Sequence, residues 1–216
     1  MQPVFETVEN SKEMILKRLE TEPFKTNTYL ITCKESGETL VVDAPGSADA
    51  IIEQLNGVKV VGIVITHNHM DHLIALEELK AELNAPVIAH KDDAGALPCK
   101  ADRVLTGAET LSCGKVAVRV MHTPGHTAGS IVLAVDRFLI AGDTLFPGGP
   151  GKTGSKEDFK TIIRSIKEVI LPLGDETVIL SGHGDKTTLG SEREAVTDFL
   201  DNRCCEGLYG DVTWQE

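Results

Sequence analysis

The stretch Thr66-His67-Asn68-His69-Met70-Asp71-His72 decides how the rest of the chain is interpreted. An apolar run at 58–65 precedes it and is typical of a buried strand, and leucines at helical spacing follow it within 73–83. The polar stretch is therefore expected on a short turn at the carboxyl end of a strand. Because α/β proteins bind their ligands at such ends, we expect this turn to carry the chemistry.

Three imidazoles and one carboxylate within residues 67–72 indicate a metal site. These groups crowd one another unless a cation satisfies them. Imidazole nitrogens and a carboxylate oxygen suit Zn²⁺ or Fe²⁺. A tetrahedral ion that keeps one position open needs only three protein ligands, and this stretch offers four. The spacing therefore suggests a shared site for two ions, completed from elsewhere in the chain.

Length and charge narrow the class of protein. The 216 residues suit one domain, 1–216, with a core on both faces of a sheet. The net charge of −12 argues against nucleic acid or an anionic membrane as partner. The sequence has no run typical of a signal peptide or a membrane span, so we expect a cytoplasmic protein with a small-molecule substrate.

The five cysteines do not form a recognisable framework. They are Cys33, Cys99, Cys113, Cys204 and Cys205. Their odd number and the absence of a Cys-x-x-Cys spacing argue against a complete disulfide set. We expect free, mostly buried thiols, with a strained Cys204–Cys205 redox pair as the alternative.

The informative polar residues share one feature, which is that each follows a predicted strand. They are Asp43, the cluster at 67–72, His126, Asp143 and His183. Strand ends on one edge of a sheet meet in space, so these side chains are expected in one cleft. Glycines that allow sharp turns flank three of them, at 125, 142 and 182.

Four motifs in this order resemble the metallo-β-lactamase superfamily, and within it the glyoxalase II (hydroxyacylglutathione hydrolase) type. They are His67-x-His69-x-Asp71-His72, Thr123-Pro124-Gly125-His126-Thr127, Gly142-Asp143-Thr144-Leu145-Phe146 and Ser181-Gly182-His183-Gly184. The resemblance extends from Asn27 to about His183. It implies an α/β fold, the αββα sandwich, in which two mixed β-sheets carry helices on the outside. We expect no separate C-terminal substrate-binding domain of the glyoxalase II kind.

The resemblance also implies roles for the clustered residues. One ion would be held by His67, His69 and His126, the other by Asp71, His72 and His183, and Asp143 would bridge them. The ions would be two Zn²⁺, or alternatively iron or manganese. A hydroxide bridging them would attack a thioester or ester carbonyl, with Asp71 orienting it as the catalytic residue. Asp43 would accept a hydrogen bond from a ligand histidine, or alternatively cap the next helix or turn the loop.

Lys152 is the candidate substrate contact. It lies where glyoxalase II carries a Gly-Cys-Gly-Lys-like loop, although Pro150 replaces the cysteine. The expected substrate is an anionic thioester or ester. The alternative interpretation of Lys152 is a solvated loop lysine without a role in binding. Two other functions stay open. One is a persulfide dioxygenase with one iron, and the other is a lactonase or β-lactamase-like hydrolase. No role is assigned to His90 or His122, and nothing indicates the oligomeric state.

Overall fold

The molecule is built around two β-sheets that pack face to face, as seen in a computed structural model that describes residues 4–203 and 207–215. The first sheet has seven strands in the order β1-β2-β3-β4-β5-β6-β7. They are β1 Glu6–Asn10, β2 Met14–Thr21, β3 Thr26–Cys33, β4 Glu38–Val42, β5 Lys59–Val64, β6 Val87–His90 and β7 Arg103–Leu105. The strands from β4 to β7 pair in parallel, and those from β1 to β4 are antiparallel.

The second sheet is mixed as well. Its members are β8 Thr110–Cys113, β9 Val116–His122, β10 Ile131–Val135, β11 Phe138–Gly142, β14 Val178–Ser181 and β15 Thr187–Thr188. Their order is β15-β14-β11-β10-β9-β8, and only β11 and β14 pair in parallel. A small hairpin of β12 Leu145–Phe146 and β13 Gly149–Pro150 lies in the glycine-rich loop after β11.

The described chain contains four α-helices and several short helical turns. The α-helices are α1 Ala48–Gln54, α2 Leu76–Leu83, α3 Lys156–Ser165 and α4 Leu189–Asn202. Met70–His72 and Ala94–Ala96 form 3₁₀ turns, and α3 continues into a π-helical turn at Ile166–Ile170. Ser155 starts α3, since its hydroxyl accepts a hydrogen bond from the backbone N–H of Asp158 at 3.1 Å.

Three apolar layers follow from the alternation of side chains along the strands. In β3, Tyr29 and Ile31 point between the two sheets, whereas Leu30 points outward to the layer that α1 and α2 cover. Helices α3 and α4 cover the outer face of the second sheet with residues such as Phe159 and Phe199. The helix–sheet–sheet–helix order confirms the predicted αββα sandwich of two mixed sheets.

Local differences from the sequence predictions have simple causes. The helix expected over 73–83 begins only at Leu76, because a 3₁₀ turn at Met70–His72 takes up the preceding residues. Strand β2 was not anticipated, because the charged Lys17 and Arg18 interrupt the alternation of its buried positions. No helix in the described ranges combines the length and the apolar character that a membrane span requires.

The cysteines and the C-terminal aromatic residue are placed as follows. Cys33 and Cys113 are buried, Cys99 is partly buried, and all three are free thiols. Cys204 and Cys205 lie outside the described residues, so the redox-pair alternative stays a prediction. Trp214 packs into the chain's own core, with its ring centroid 5.4 Å from that of Phe199.

Candidate metal centre

Backbone hydrogen bonds join the two sheets at the edge where the predicted site residues lie. The Asn27 N–H in β3 donates to the Gly182 carbonyl at 2.7 Å, and the Ile131 N–H in β10 donates to the Thr66 carbonyl at 2.9 Å. Strand β4 leads into Asp43, and β5 leads into the turn that carries the first motif. Strands β11 and β14 lead in the same way into Asp143 and His183. The sheet topology therefore gathers the polar residues at one end of the sandwich.

The first histidine group consists of His67, His69 and His126. One nitrogen of each ring lies within 4.8 Å of the others. The ring centroids are 4.4–4.9 Å apart and the ring planes are nearly perpendicular. Nε2 of His67 and Nε2 of His126 are buried without a hydrogen-bond partner among the described residues. Buried polar atoms are normally satisfied, so these two nitrogens indicate a place for a cation.

The second group consists of Asp71, His72 and His183. Oδ2 of Asp71 lies 3.6 Å from Nε2 of His72 and 3.1 Å from Nε2 of His183. The two Nε2 atoms are 3.4 Å apart. The Thr26 hydroxyl donates to Oδ2 of Asp71 at 3.1 Å and helps to hold that carboxylate in place. Two imidazoles and a carboxylate that converge in this way form a second donor set for a divalent cation.

Asp143 lies between the two groups. Its Oδ2 atom is 3.9 Å from Nε2 of His67, 3.6 Å from Nε2 of His126 and 3.5 Å from Nε2 of His183. Its Oδ1 atom is 3.3 Å from Nε2 of His72. A Cβ atom at position 182 would stand 2.0 Å from this Oδ1, so only glycine there leaves room for the carboxylate. One anion therefore faces donor atoms of both groups.

In four of the five clustered histidines, the second ring nitrogen has its own partner, which sets the direction of the ring. Nδ1 of His126 donates to the Lys152 carbonyl at 2.8 Å, and Nδ1 of His183 donates to the Phe24 carbonyl at 3.1 Å. Since a carbonyl can only accept, both rings carry a proton on Nδ1, and Nε2 of each is the nitrogen that faces the centre and would bind a cation. Nδ1 of His67 lies 3.0 Å from the Thr66 hydroxyl.

Asp43 lies behind His72 and Thr66. Nδ1 of His72 is 2.9 Å from its Oδ2, and Thr66 donates to the same carboxylate from its backbone N–H at 2.7 Å and from its hydroxyl at 2.8 Å. Asp43 adopts a left-handed backbone with φ of 62°, which is uncommon for a residue other than glycine. Its side chain thus contacts a histidine of the cluster, as one sequence interpretation expected, and α1 begins five residues later at Ala48.

Several of the seven clustered side chains have pKa values that their neighbours shift. Burial opposes the charge on His72, but the Asp43 and Asp143 carboxylates raise its pKa to about 10. Hydrogen bonds to Asp143 and Asp71 raise the pKa of His183 to about 10 as well. Burial and the neighbouring His72 hold the pKa of His67 well below its usual value. The carboxylates thus stabilise positive charge in the centre, and a divalent cation can supply that charge.

The Lys152 side chain lies beside the C-terminal segment. It is 69% exposed, and its Nζ atom lies 3.8 Å from Oδ2 of Asp211 in that segment. The Thr153 and Gly210 backbones pair beside it, so the C-terminal segment holds the loop that carries Lys152. An open cavity of about 400 Å³ is lined by parts of this loop and of the segment, with Phe146 and Val212 among its lining residues. The Phe146 ring centroid is 6.2 Å from that of His183, so the cavity adjoins the cluster.

The unassigned histidines form a separate pair. The rings of His90 and His122 stack at 4.0 Å and 17°, with Asp92 beside them. Parallel rings do not direct their lone pairs at one ion, and Nδ1 of His90 already accepts the Asp92 N–H at 3.3 Å. His122 donates from Nε2 to the Ala128 carbonyl at 2.9 Å. The pair therefore supports the loop around residue 128.

Sequence reasoning missed Asp93, which is 2% exposed and lies three residues after β6. It follows a strand end like the other site residues, and that position was the available signal. Its partners are Asn68 of the first motif, Thr127 of the second motif and Gly129 just after it, and sequence gives no indication of such contacts.

Comparison with known proteins connects this geometry to a family. The model of the metallo-β-lactamase superfamily matches residues 21–183. A hydroxyacylglutathione hydrolase of Rhizobium etli is 34% identical in an alignment of 195 residues, and the match covers 87% of this chain and 74% of that protein. Hydroxyacylglutathione hydrolase GloC of Haemophilus influenzae is 29% identical in an alignment of 205 residues, and the match covers 83% of this chain and 95% of that protein.

Solved structures give the same picture. BLEG-1, a B3 metallo-β-lactamase, superposes with a TM-score of 0.75 and 30% identity over 83% of this chain and 96% of its own. TTHA1623, solved in a di-iron-bound form, superposes with a TM-score of 0.70 and 26% identity over 82% of this chain and 96% of its own. These superpositions cover more than four fifths of this chain and nearly the whole of each solved chain.

Proposed function

The chain belongs to the metallo-β-lactamase superfamily, and from that premise we propose that it is a hydrolase of small thioesters or carboxyl esters with two zinc ions. One observation carries the proposal, which is that the Asp143 carboxylate stands between two separate donor groups. A metal pair needs a shared anion, and a carboxylate provides one. The hydroxyacylglutathione hydrolases among its relatives favour thioesters, and the di-iron-bound relative favours two ions.

The residues present fit the metals. Two nitrogens of the first group are buried without hydrogen-bond partners in the part of the chain that the structure describes, and the second group offers two imidazoles and a carboxylate. The first group would hold one ion, the second group the other, and Asp143 would contact both. Bound ions supply Lewis acidity for the substrate carbonyl and activate water at neutral pH.

The chain's own side chains then have distinct tasks. Asp71 lies 3.1 Å from His183 and is partly exposed, so it can accept a proton or orient water at the mouth of the site. Asp43 keeps the His72 ring in one orientation through the 2.9 Å contact to Nδ1. Lys152, on the loop next to the 400 Å³ cavity, would attract the anionic end of the substrate. We further propose that this acidic protein acts on small molecules in the cytoplasm.

A single preparation tests the proposal. Protein purified without chelator would be analysed for metal content and assayed for hydrolysis of glutathione thioesters, lactones and a β-lactam, with oxygen consumption followed on the same sample. We expect two zinc ions per chain and thioester or ester hydrolysis without oxygen uptake. One iron with oxygen uptake would favour a dioxygenase and contradict the proposal. Preferred cleavage of the lactone or the β-lactam would contradict the proposed substrate class and identify the chain as a lactonase or β-lactamase-like hydrolase.

A further inference from the structure

A buried carboxylate outside the seven clustered residues joins two of the loops that form the centre. Oδ2 of Asp93 accepts hydrogen bonds from the Asn68 N–H at 2.9 Å and from the Thr127 hydroxyl at 2.6 Å. Its Oδ1 accepts the Gly129 N–H at 2.8 Å. These partners are distant in sequence, so one side chain fixes the separation of two loops.

The two loops carry the whole first histidine group. Asn68 stands between His67 and His69, and Thr127 directly follows His126. We propose that Asp93 is a positioning residue that sets the spacing of these three histidines and thereby their affinity for a metal ion. The inference rests on the proposed function in one respect, which is that this group holds an ion.

The physical basis is the demand of a buried anion for donors. In the described part of the chain no lysine, arginine or histidine nitrogen lies within 4 Å of the Asp93 carboxylate, so its charge depends on hydrogen bonds. Bonds to a charged acceptor are stronger than neutral ones, and each donor left without a partner is costly. The Asp93 carboxylate therefore holds the two loops firmly.

Close packing limits how far the second loop can shift. A Cβ atom at position 129 would lie 2.5 Å from Cγ of Asp93, so the loop approaches the carboxylate as closely as glycine permits. The Thr127 hydroxyl also lies 2.8 Å from the Ser130 hydroxyl, which extends the network along the loop. The second donor group has other supports, since Asp43 contacts His72 and the Phe24 carbonyl contacts His183. A change at Asp93 should therefore act mainly on the first group.

The test compares Asp93→Asn with Asp92→Asn. The first variant keeps the side-chain shape but places an NH₂ group against an N–H or O–H donor. The second changes the exposed neighbouring carboxylate and serves as the matched control. Zinc affinities come from chelator competition, and the occupancy of each position comes from anomalous diffraction at the zinc edge. We expect the affinity of the first group to fall about 10- to 100-fold in Asp93→Asn, with the second group and the control unchanged.

A milder variant protects the test against misfolding. Thr127→Val removes one of the three hydrogen bonds and should give a smaller loss at the same position. Unchanged affinity in Asp93→Asn would overturn the inference. An equal loss of zinc affinity at both donor groups would also overturn it, since Asp93 would then have a general structural role. Zinc binding is measured without substrate, so a failure of the proposed thioester chemistry leaves this test intact. Wild-type protein without zinc at the first group would contradict both proposals.

Discussion

Nδ1 of His72 lies 2.9 Å from Oδ2 of Asp43, and both side chains are almost completely buried. The same oxygen accepts the Thr66 hydroxyl at 2.8 Å, one residue before His67. The Asp43 carboxylate thus contacts the turn that carries the first motif at both ends, through Thr66 and through His72. This arrangement makes Asp43 a support for the centre, although it is not itself in the cluster.

Asp43→Asn tests this support. The amide keeps the volume but turns an NH₂ group toward either Thr66 or His72, so the imidazole loses its fixed direction. We expect the second donor group to bind zinc about 10- to 100-fold more weakly. Chelator competition measures the change, and Asp49→Asn on the exposed side of α1 is the control. Wild-type affinity in Asp43→Asn would mean that His72 needs no such partner.

Asp143→Ala addresses the shared anion. The carboxylate faces nitrogens of both groups at 3.3–3.9 Å, so under the proposed two-ion centre its removal would take a ligand from each ion. We expect a loss of both zinc ions and of at least about 100-fold in activity, measured by metal analysis after dialysis and by thioester hydrolysis. Asp201→Ala in α4 should retain both properties. Retention of one ion at full affinity would show that Asp143 belongs to one group alone.

The sequence predicts the fold and the clustered residues because both depend on local patterns. Apolar strands that end in His, Asp and Gly place the motifs at one edge of a sheet, and the structure brings all seven side chains together there. Contacts between distant segments are a different matter. The hydrogen bonds of Asp93 to Asn68 and Gly129 depend on how the two sheets approach each other, which no local pattern encodes.

The same distinction explains the C-terminal segment. Trp214 is buried and Gly210 pairs with Thr153, so the segment closes over the loop that carries Lys152. The sequence alone does not indicate whether Trp214 packs on its own chain or on a partner. A single aromatic residue near a chain end carries no period, and periodicity is the main sequence signal of burial.

Lys152 and Asp211 give opposite predictions for substrate binding. Asp211 competes for the ammonium group across 3.8 Å, and both side chains are largely exposed. Lys152→Ala should raise KM for an anionic thioester several-fold with kcat and zinc content unchanged. Asp211→Asn should lower KM, because it frees the lysine. Lys160→Ala, an exposed lysine of α3, is the control. An unchanged KM in Lys152→Ala for every accepted substrate would remove this residue from the site.

Glu109 gives a pH-dependent prediction. Its carboxylate accepts the N–H groups of Thr106, Gly107 and Ala108 and the Thr106 hydroxyl at 2.7–3.0 Å. Burial opposes its charge, but these hydrogen bonds lower its pKa to about 2 from 4.5. A lowered pKa means that the stabilisation is complete above the ordinary pKa and is lost as the pH falls toward 2.

Glu109→Gln should therefore lower the free energy of unfolding by about 1 kcal/mol at pH 7, a small value because the side chain is partly exposed. The difference from wild type should shrink as the pH is lowered from about 4.5 toward 2, since the wild-type carboxyl then takes up a proton. Urea unfolding of metal-free protein at several pH values measures this difference without the contribution of bound ions. Glu82→Gln, at an exposed position of α2, should show no such trend. A difference that stays constant with pH would mean that the charge of Glu109 does not stabilise the loop.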